Sequence, residues 1–199
     1  MRSTGSWYEV RAESGKVYRA RLKGKFKLNG PKTSNPITVG DKVLFSMEDE
    51  ANQTVVIEEI SPRQNYIIRK SVHKTSHGQL LAANVDQAIF IFTYKFPKTS
   101  LGFLDRFLVT AEAFRIPVTI VFNKMDLINE EEKDQVFEWA GLYQELGYGV
   151  LFTSIPFNQG ISEFKEMFEG KVSLMAGHSG VGKSSLLNIV APTLHIKTK

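Results

Sequence analysis

The first third of the chain alternates apolar and polar positions over short segments. In residues 17–22, the side chains of Tyr18, Ala20 and Leu22 alternate with mostly charged positions, which is the period of a half-buried strand. Similar runs read WYEVRA, KVLFSM and TVVIEEI, with Gly, Pro and Asn between them. Several strands and little helical signal over roughly 60 residues predict a small β-barrel. An OB-fold is the leading candidate, and an SH3-like barrel would produce nearly the same pattern.

Helical periodicity starts only later in the chain. Residues 71–81 are polar and weakly periodic, so we expect a linker there, between a domain formed by residues 1–70 and a second domain formed by residues 82–199. In the second domain, the apolar runs QAIFIF, PVTIVF, GVLFTS and KVSLMA predict short buried strands.

Segments with helical spacing separate those four runs. We expect Ser100 to start one helix, and Asn129 with Glu132 three residues later has the pattern of a capping box at the start of another. A shorter helix is expected around residues 161–168. Alternating strands and helices predict a parallel sheet with helices on both faces, because each crossover places a helix against the sheet.

The composition indicates a globular chain that is not exported. Of 199 residues, 42% are hydrophobic, which allows a sizeable core, but no apolar run approaches the ~20 residues that cross a bilayer. The N-terminal sequence MRSTGSWYEV has no apolar signal core, and the chain contains no cysteine. We therefore expect a cytoplasmic protein without a membrane span, a disulfide or a thiolate metal site.

Positive charge is concentrated in the first part of the chain. Residues 1–80 contain 14 Lys and Arg against 8 Asp and Glu, a net charge of +6, whereas the remaining residues contain 11 against 13, a net charge of −2. A segregated basic region favours a partner with a phosphate backbone. A solvated basic face without any partner would give the same charge distribution.

The segment GHSGVGKS, residues 177–184, matches the phosphate-binding loop (P-loop) pattern G-x-x-x-x-G-K-[ST] between a predicted strand and a predicted helix. Its glycines let backbone N–H groups and the helix N-terminus approach phosphate oxygens. We expect Lys183 to bridge the β and γ phosphates and the Ser184 hydroxyl to bind Mg²⁺. His178 occupies a free position, so we assign its side chain no catalytic role. The residues of this segment expected to contact the nucleotide are Gly177, His178, Ser179, Gly180, Val181, Gly182, Lys183, Ser184 and Ser185.

A guanine-reading pattern, N-K-x-D, follows the PVTIVF run as Asn123, Lys124, Met125 and Asp126. A carboxylate at the fourth position accepts both the ring N1–H and the exocyclic amino group that guanine presents and adenine lacks. We expect Asp126 to make these contacts, Asn123 to bind near N7 or to tie the loop to the P-loop, and the Lys124 stem to lie along the base or ribose. If this match were a coincidence, the P-loop alone would indicate an ATPase.

A third segment, Thr153 to Ile155, follows the GVLFTS run and resembles a degenerate S-A-K loop, which supports guanine in GTPases. Alanine and lysine are both absent from it. We expect Ser154 and Ile155 to lie at the guanine site. In the usual GTPase order the P-loop comes first, but here it follows the N-K-x-D and S-A-K-like segments. The domain is therefore predicted to be circularly permuted, which relocates the termini without changing the sheet contacts.

With these motifs in this order, the chain resembles the RsgA (YjeQ) family of circularly permuted GTPases. The resemblance covers nearly the whole chain, and the permuted order is its most specific element. It is carried by VGDKV at 39–43, ISPRQN at 60–65, AANVDQ at 82–87, LDRFL at 104–108, NKMDL at 123–127 and GHSGVGKSSLLN at 177–188.

The resemblance implies a monomeric GTPase that uses GTP, GDP and Mg²⁺ and binds the 30S ribosomal subunit late in its assembly. It further implies that the OB domain contacts 16S rRNA. On that domain Trp7, Tyr8 and Tyr18 are candidates for stacking on bases, although aromatic side chains on barrel strands more often belong to the core.

The chain also departs from the family pattern. The family continues with switch I, a D-x-x-G switch II and a Cys/His zinc module, and none of these follows LHIKTK at the end of the chain. We therefore expect a fragment of a longer protein, without zinc ligands of its own and without a general base. Lys183 and Ser184 are the residues expected to serve the chemistry. The alternative is an RNA-binding module whose nucleotide domain is catalytically inert in this form.

Overall fold

A computed structural model describes residues 3–4, 7–24, 36–69 and 79–192. The chain divides into two compact units, residues 1–84 and residues 85–199. The division lies three residues beyond the 81/82 boundary expected from the sequence. Among the described residues, no helix is both long and apolar enough to cross a lipid bilayer.

The first unit contains a five-stranded sheet in the order β1-β2-β3-β5-β4. Neighbouring strands are antiparallel except β3 and β5, which are parallel and not consecutive in the chain. This is the OB-like β-rich unit expected from the alternating pattern. The strands are β1 (Ser3–Thr4), β2 (Trp7–Arg11), β3 (Val17–Leu22), β4 (Val43–Asp49) and β5 (Thr54–Ile60).

One face of this sheet forms the core of the first unit. The alternation that predicted β3 agrees with its burial, since Ala20 is fully buried while Arg19 and Arg21 are exposed. Burying the apolar side chains of this face removes their surface from water, which is the main stabilising contribution. The buried members of the core are Tyr8, Val10, Ala20, Ile37, Val55 and Ile57.

A second strand pair in this unit was not expected from the sequence. Strand β6 (Tyr66–Arg69) pairs antiparallel with β7 (Gln79–Ala83). Part of the expected linker, residues 79–81, therefore lies in a strand, whereas residues 71–78 lie outside the described residues. The pairing was missed because each strand has at most five residues and polar sequence surrounds both.

Two of the segments that carry the family resemblance meet in a buried ion pair in this unit. The Arg63 guanidinium donates to both carboxylate oxygens of Asp41, at 2.6 and 2.7 Å, and to the carbonyl of Pro36. The Asp41 side chain is fully buried and also accepts from the backbone N–H of Thr38. Gly40 has a φ of 93° and lies so close to the Ala83 carbonyl that a Cβ would clash with it. VGDKV and ISPRQN thus have a structural function here.

The second unit is built on a parallel four-stranded sheet in the order β10-β9-β8-β11. Its strands are the four apolar runs seen in the sequence. They are β8 (Gln87–Phe92), β9 (Val118–Asn123), β10 (Gly149–Thr153) and β11 (Ser173–Ala176). All six residues of β8 are buried, as expected for a strand that is covered on both faces.

Helices cover both faces of this sheet, as predicted. The helices are α1 (Leu101–Ala113), α2 (Glu130–Glu145), α3 (Ile161–Glu166) and α4 (Lys183–Val190). On one face, Ile89 and Ile91 of β8 pack with Phe164 of α3 and Leu186 of α4. On the other face, Phe90 contacts aromatic rings of α1, and Phe92 contacts a tryptophan of α2.

The expected helix starts are present. Ser100 is the N-cap of α1 and accepts a hydrogen bond from the Phe103 N–H. Asn129 and Glu132 form a reciprocal capping box at α2, with both hydrogen bonds at 2.9 Å. Gly147 follows α2 with a φ of 90°, the left-handed conformation common just after a helix.

Candidate nucleotide site

The predicted site residues lie at one edge of the parallel sheet. Each of the four strands is followed by a loop at its carboxyl end, and these ends lie together because the strands are parallel. From β8 the chain continues to β9 and β10 on one side, while β11 lies on the other side of β8. Ligands of open α/β sheets bind at such a reversal of strand order. The edge therefore has the position of a binding site.

The P-loop connects β11 to α4, and its glycines adopt conformations that other residues rarely do. Gly177, Gly180 and Gly182 have φ values of 137°, 86° and 99°. A Cβ on Gly177 would lie 2.6 Å from the Ile91 carbonyl oxygen, and one on Gly182 would clash with the side chain of Asn123. The loop thus follows its path only with glycine at these positions. This backbone path ends at the N-terminus of α4, where N–H groups are free to bind an anion.

Lys183 begins α4 and folds back over the P-loop. Its ammonium donates to the carbonyl of Gly177 at 2.9 Å and to that of His178. Burial lowers the pKa of Lys183 below its usual value, because desolvation disfavours the charged form. A phosphate oxygen could replace these carbonyls as the partner of the ammonium. Ser184 and Ser185 are half-buried in the first turn of the same helix.

The other P-loop residues differ in exposure. Residues 178–180 are exposed, whereas Val181 is fully buried in the core of the second unit. The His178 ring stacks on Phe103 of α1, with ring centroids 4.1 Å apart. Sequence reasoning assigned His178 no role for its side chain, and the structure shows that the ring links the P-loop to α1.

Asn123 connects three of the loops at this edge. Its side-chain Nδ2 donates to the Val181 carbonyl at 2.8 Å, and its Oδ1 accepts from the Thr153 hydroxyl at 2.9 Å. Asn123 is 4% exposed, so both hydrogen bonds are shielded from water. The sequence left two roles open for Asn123, contact with the base or a hydrogen bond to the P-loop. The structure contains the hydrogen bond to the P-loop.

Lys124 makes a second connection to the P-loop. Its backbone is left-handed, with a φ of 63°, and its ammonium donates to the carbonyls of Gly180 at 2.7 Å and Phe96 at 2.6 Å. The ammonium is thus held at the far end of the side chain, which fixes the direction of the apolar stem. A stem held this way could lie along a base or a ribose.

The carboxylate of Asp126 lies beside the S-A-K-like segment. The Ser154 hydroxyl donates to Asp126 Oδ1 at 2.7 Å, and Ser154 is fully buried. Met125 is buried, and Ile155 packs against the core. The structure therefore brings together the N-K-x-D, S-A-K-like and P-loop segments, which are far apart in sequence.

Sequence reasoning missed two parts of this edge. The sequence places Thr153 at the start of the S-A-K-like segment but does not predict its hydrogen bond to Asn123. The sequence also shows no motif at residues 94–97, although this loop contacts Lys124 and lies against the P-loop. The position of this loop after a buried parallel strand was a usable signal, since binding residues collect at carboxyl ends of such strands.

The residues present fit a magnesium-bound nucleotide. The P-loop supplies backbone N–H groups and one ammonium for phosphates, and Ser184 supplies a hydroxyl oxygen of the kind Mg²⁺ binds beside phosphates. Asp126 supplies acceptors that suit the N–H groups of guanine. Across the described part of the chain, no group of three or more His, Cys, Asp or Glu side chains could hold a metal ion.

Comparison with known proteins identifies this arrangement. The family model described as RsgA GTPase matches residues 60–199, and that described as RsgA N-terminal domain matches residues 1–55. A small ribosomal subunit biogenesis GTPase RsgA from Cytophaga hutchinsonii is 49% identical over 187 residues, which are 94% of this chain and 61% of that protein. The corresponding protein of Bacteroides fragilis is 41% identical over the whole chain and 63% of its own length. The chain thus spans about three fifths of these relatives.

Two solved structures share the fold. The crystal structure of YjeQ from Thermotoga maritima is 40% identical, with a TM-score of 0.77, and the match covers 97% of this chain and 64% of that one. The structure of YloQ, titled a circularly permuted GTPase, is 33% identical with a TM-score of 0.73, over 98% of this chain and 64% of that one. Both similarities extend over the two units, and the second supports the permuted order inferred from the motifs.

Proposed function

The chain belongs to the RsgA GTPase family, and from this premise we propose that it binds GTP and GDP with Mg²⁺ and acts as a GTPase in biogenesis of the small ribosomal subunit. We further propose that it works in the cytoplasm, as a monomer, on the 30S subunit. The relatives that it matches are named small ribosomal subunit biogenesis GTPases.

The hydrogen bond between Ser154 and Asp126 is the observation that supports the proposed preference for guanine. The Ser154 hydroxyl occupies one side of Asp126 Oδ1, which orients the carboxylate and leaves its remaining lone pairs for a ligand. A carboxylate oriented in this way accepts two N–H donors from guanine. Adenine offers no N1–H at the corresponding position, so it would displace water from the remaining lone pairs of the half-buried carboxylate without supplying a donor, which is costly.

Lys183 and Ser184 carry the proposed phosphate chemistry. The Lys183 ammonium would exchange its P-loop carbonyls for phosphate oxygens and neutralise charge on them, and the Ser184 hydroxyl would bind the metal. A metal held at Ser184 would supply electrostatic stabilisation of the negative charge that develops during phosphoryl transfer. No residue within the described part of the chain is assigned the task of activating water.

Calorimetry with GDP and ADP in the presence of Mg²⁺ tests the nucleotide proposal. We expect GDP to bind at least tenfold more tightly than ADP, because discrimination by hydrogen bonding to a base exceeds that by shape. Comparable affinities for the two would contradict guanine recognition and favour an ATP-type P-loop protein. If neither nucleotide bound, the nucleotide domain would be inert in this chain, as in the alternative considered from the sequence.

A second proposed function, binding of 16S rRNA, rests on the outward face of β2 and β3. Of the three aromatic candidates, Tyr8 is buried and Tyr18 packs against Phe45 and the core. Trp7 alone lies on the other face, where the Arg19 guanidinium is 4.9 Å from the centre of its ring. A tryptophan beside an arginine is a surface on which an unpaired base can stack near its phosphate.

The basic side chains around Trp7 extend this surface. Arg11, Arg19 and Arg21 are all exposed, and the Arg21 guanidinium pairs with Glu48 on β4. Arginine at these positions can contact phosphates, which fix position on RNA without reading its sequence. The face therefore suits single-stranded or looped RNA.

Binding of a 16S rRNA fragment, measured at several salt concentrations, tests this second function. Arg19→Ala is expected to reduce the slope of log affinity against log salt by roughly one phosphate contact, and Trp7→Ala to weaken binding by about 1–3 kcal/mol with the slope retained. Lys171→Ala, which removes an exposed cation of the second unit, is the matched control. Equal effects of Arg19→Ala and Lys171→Ala would refute the assignment to β2 and β3.

A further inference from the structure

The loop of residues 94–97, which follows β8, is not part of any motif in the sequence. Its two ends are joined, since the Thr99 N–H donates to the Thr93 carbonyl at 2.9 Å. Both threonines are buried, so the loop starts and ends in the core. Between these ends it contacts α2 on one side and the proposed nucleotide site on the other.

The contacts with α2 involve both a ring stack and an ion pair. The Tyr94 ring stacks on Trp139 with centroids 5.6 Å apart, and the Tyr94 hydroxyl donates to the Gln135 side chain at 2.9 Å. The Lys95 ammonium pairs with Glu132 at 2.5 Å. Glu132 is also the capping-box residue of α2, so Lys95 is attached to the first turn of that helix.

The contacts with the nucleotide site come from the next two residues. The Phe96 carbonyl accepts from the Lys124 ammonium at 2.6 Å, and the same ammonium donates to the Gly180 carbonyl. Pro97 lies close to Gly180, since a Cβ on that glycine would be 3.4 Å from the proline ring. The loop thus contacts Lys124 of the N-K-x-D segment and lies against the P-loop.

The conformation of Phe96 indicates that its backbone, and not its ring, has the important role. Its φ is 57°, a left-handed conformation that side-chain-bearing residues seldom adopt unless the surroundings hold them there. Phe96 is 66% exposed, so burial of the residue does not hold this conformation. In this conformation, the Phe96 carbonyl points toward the Lys124 ammonium.

We propose that the 94–97 loop is a positioning element for the guanine site, in which Tyr94 and Lys95 act through the Phe96 carbonyl on Lys124. If the loop moved, the Lys124 ammonium would keep Gly180 as an acceptor but would lose Phe96, and its stem would be free to rotate. A stem that no longer lies in one place packs less well against a base or ribose. This inference rests on the proposed binding of guanine nucleotides.

The rate of GDP release from this chain, measured with a fluorescent GDP analogue, tests the inference. Lys95→Met removes the ammonium but keeps most of the side chain, and we expect release to become roughly three- to tenfold faster. Lys95→Arg keeps a cation that can reach Glu132, and it should restore the original rate. Lys98→Met, an exposed lysine of the same connection, is the matched control and should leave release unchanged.

A double-mutant cycle separates positioning from a general structural effect. Lys124→Ala removes the group on which the loop acts, so adding Lys95→Met to it should produce no further acceleration. An undiminished effect of Lys95→Met in the Lys124→Ala background, or an unchanged rate for Lys95→Met alone, would overturn the positioning inference while GDP binding by the unmodified chain remained. If the unmodified chain failed to bind GDP, the proposed function would fail and the inference with it.

Discussion

The Asn123 side chain donates a hydrogen bond to the carbonyl of Val181 over 2.8 Å, and so joins two loops that are 58 residues apart in the chain. In the proposed site, one loop would contact the base and the other would hold the phosphates. Their order in the sequence has no influence on this contact, because both leave the same edge of one parallel sheet. The contact therefore explains physically why a permuted chain can assemble the same site.

Replacing Asn123 by aspartate tests the importance of that bond. Asn123→Asp keeps an acceptor for Thr153 but loses the donor to Val181, and it places a carboxylate at a position that is 4% exposed. We expect a loss of about 1–3 kcal/mol in unfolding free energy, and weaker GDP binding. Urea unfolding followed by helical circular dichroism measures the loss, because the helices of the described residues all belong to the second unit.

Thr153→Val is the control for this substitution. It removes the other hydrogen bond of Asn123 and leaves the one to Val181 intact. We expect a smaller loss of GDP affinity than for Asn123→Asp, because the two loops stay joined. Equal losses of GDP affinity for the two variants would show that the hydrogen bond between Asn123 and Val181 contributes no more to GDP binding than the one between Asn123 and Thr153.

Replacing Asp126 by asparagine should change which base the chain prefers. An asparagine side chain can donate to the second carbonyl that xanthine carries in place of the guanine amino group, whereas the carboxylate cannot. We expect Asp126→Asn to lose roughly 10- to 100-fold in GDP affinity and to bind xanthosine diphosphate more tightly than the unmodified chain does. Competition of GDP and of xanthosine diphosphate against a fluorescent nucleotide analogue measures the two affinities.

Asp134→Asn provides the matched control for charge. Asp134 is exposed on α2, so its substitution makes the same chemical change away from the proposed base contact. The Asp134→Asn variant should prefer GDP over xanthosine diphosphate to the same degree as the unmodified chain. If Asp134→Asn shifted the preference toward xanthine, or if Asp126→Asn did not, Asp126 would not be the residue that contacts the base.

The buried pair of Arg63 and Asp41 should dominate the stability of the first unit. Arg63→Met leaves the Asp41 carboxylate, which has no exposed surface, without its counter-charge. Removing one partner of a buried ion pair costs about 3–5 kcal/mol. Hydrogen exchange of backbone amides in β3 and β5 measures the change within this unit.

The exposed pair of Lys23 and Glu58 offers a direct comparison. Its charged groups are 3.6 Å apart, with side chains 69% and 47% exposed. Lys23→Met should cost no more than about 1 kcal/mol, because water and salt screen such pairs. If the two substitutions had the same effect on hydrogen exchange, burial would not be the property that gives the Arg63 pair its importance.

The sequence predicts the elements of the second unit well because each has a local signal. The run QAIFIF corresponds residue for residue to β8, and Asn129 begins α2 through the expected capping box. These features depend on neighbours in the chain, so periodicity and capping residues are sufficient to identify them. The same holds for the P-loop, whose glycines have the left-handed conformations that the pattern requires.

Contacts between distant segments could not be predicted in this way. The pairing of β6 with β7 depends on partners separated by polar sequence, and the bond between Arg63 and Asp41 joins residues 22 apart. The contact of Lys124 with Phe96 needs the relative positions of two loops, which are set by the order of strands in the sheet. Local patterns identify such residues but contain no information on which of them meet.

The lowered pKa of Lys183 predicts that GDP binding is coupled to a proton. Burial lowers this pKa from its usual 10.5 in the free chain, and a nearby phosphate would raise it again by favouring the charged ammonium. Between these two pKa values, binding takes up a proton, so GDP affinity should fall as pH rises through that window. The nucleotide-free chain should gain folding stability as pH rises from the lowered pKa toward 10.5, because a buried lysine destabilises the folded state while it is charged.

Calorimetry in alkaline buffers that differ in ionisation enthalpy measures the proton taken up. The guanine N1–H also titrates at alkaline pH, so the quantity that isolates Lys183 is the difference between the unmodified chain and Lys183→Met. We expect that difference to be a positive fraction of one proton at pH values just below 10.5 and to vanish near neutral pH. Identical proton uptake by the two proteins would show that the Lys183 ammonium does not meet the phosphates, and the proposed role of the P-loop lysine would have to be abandoned.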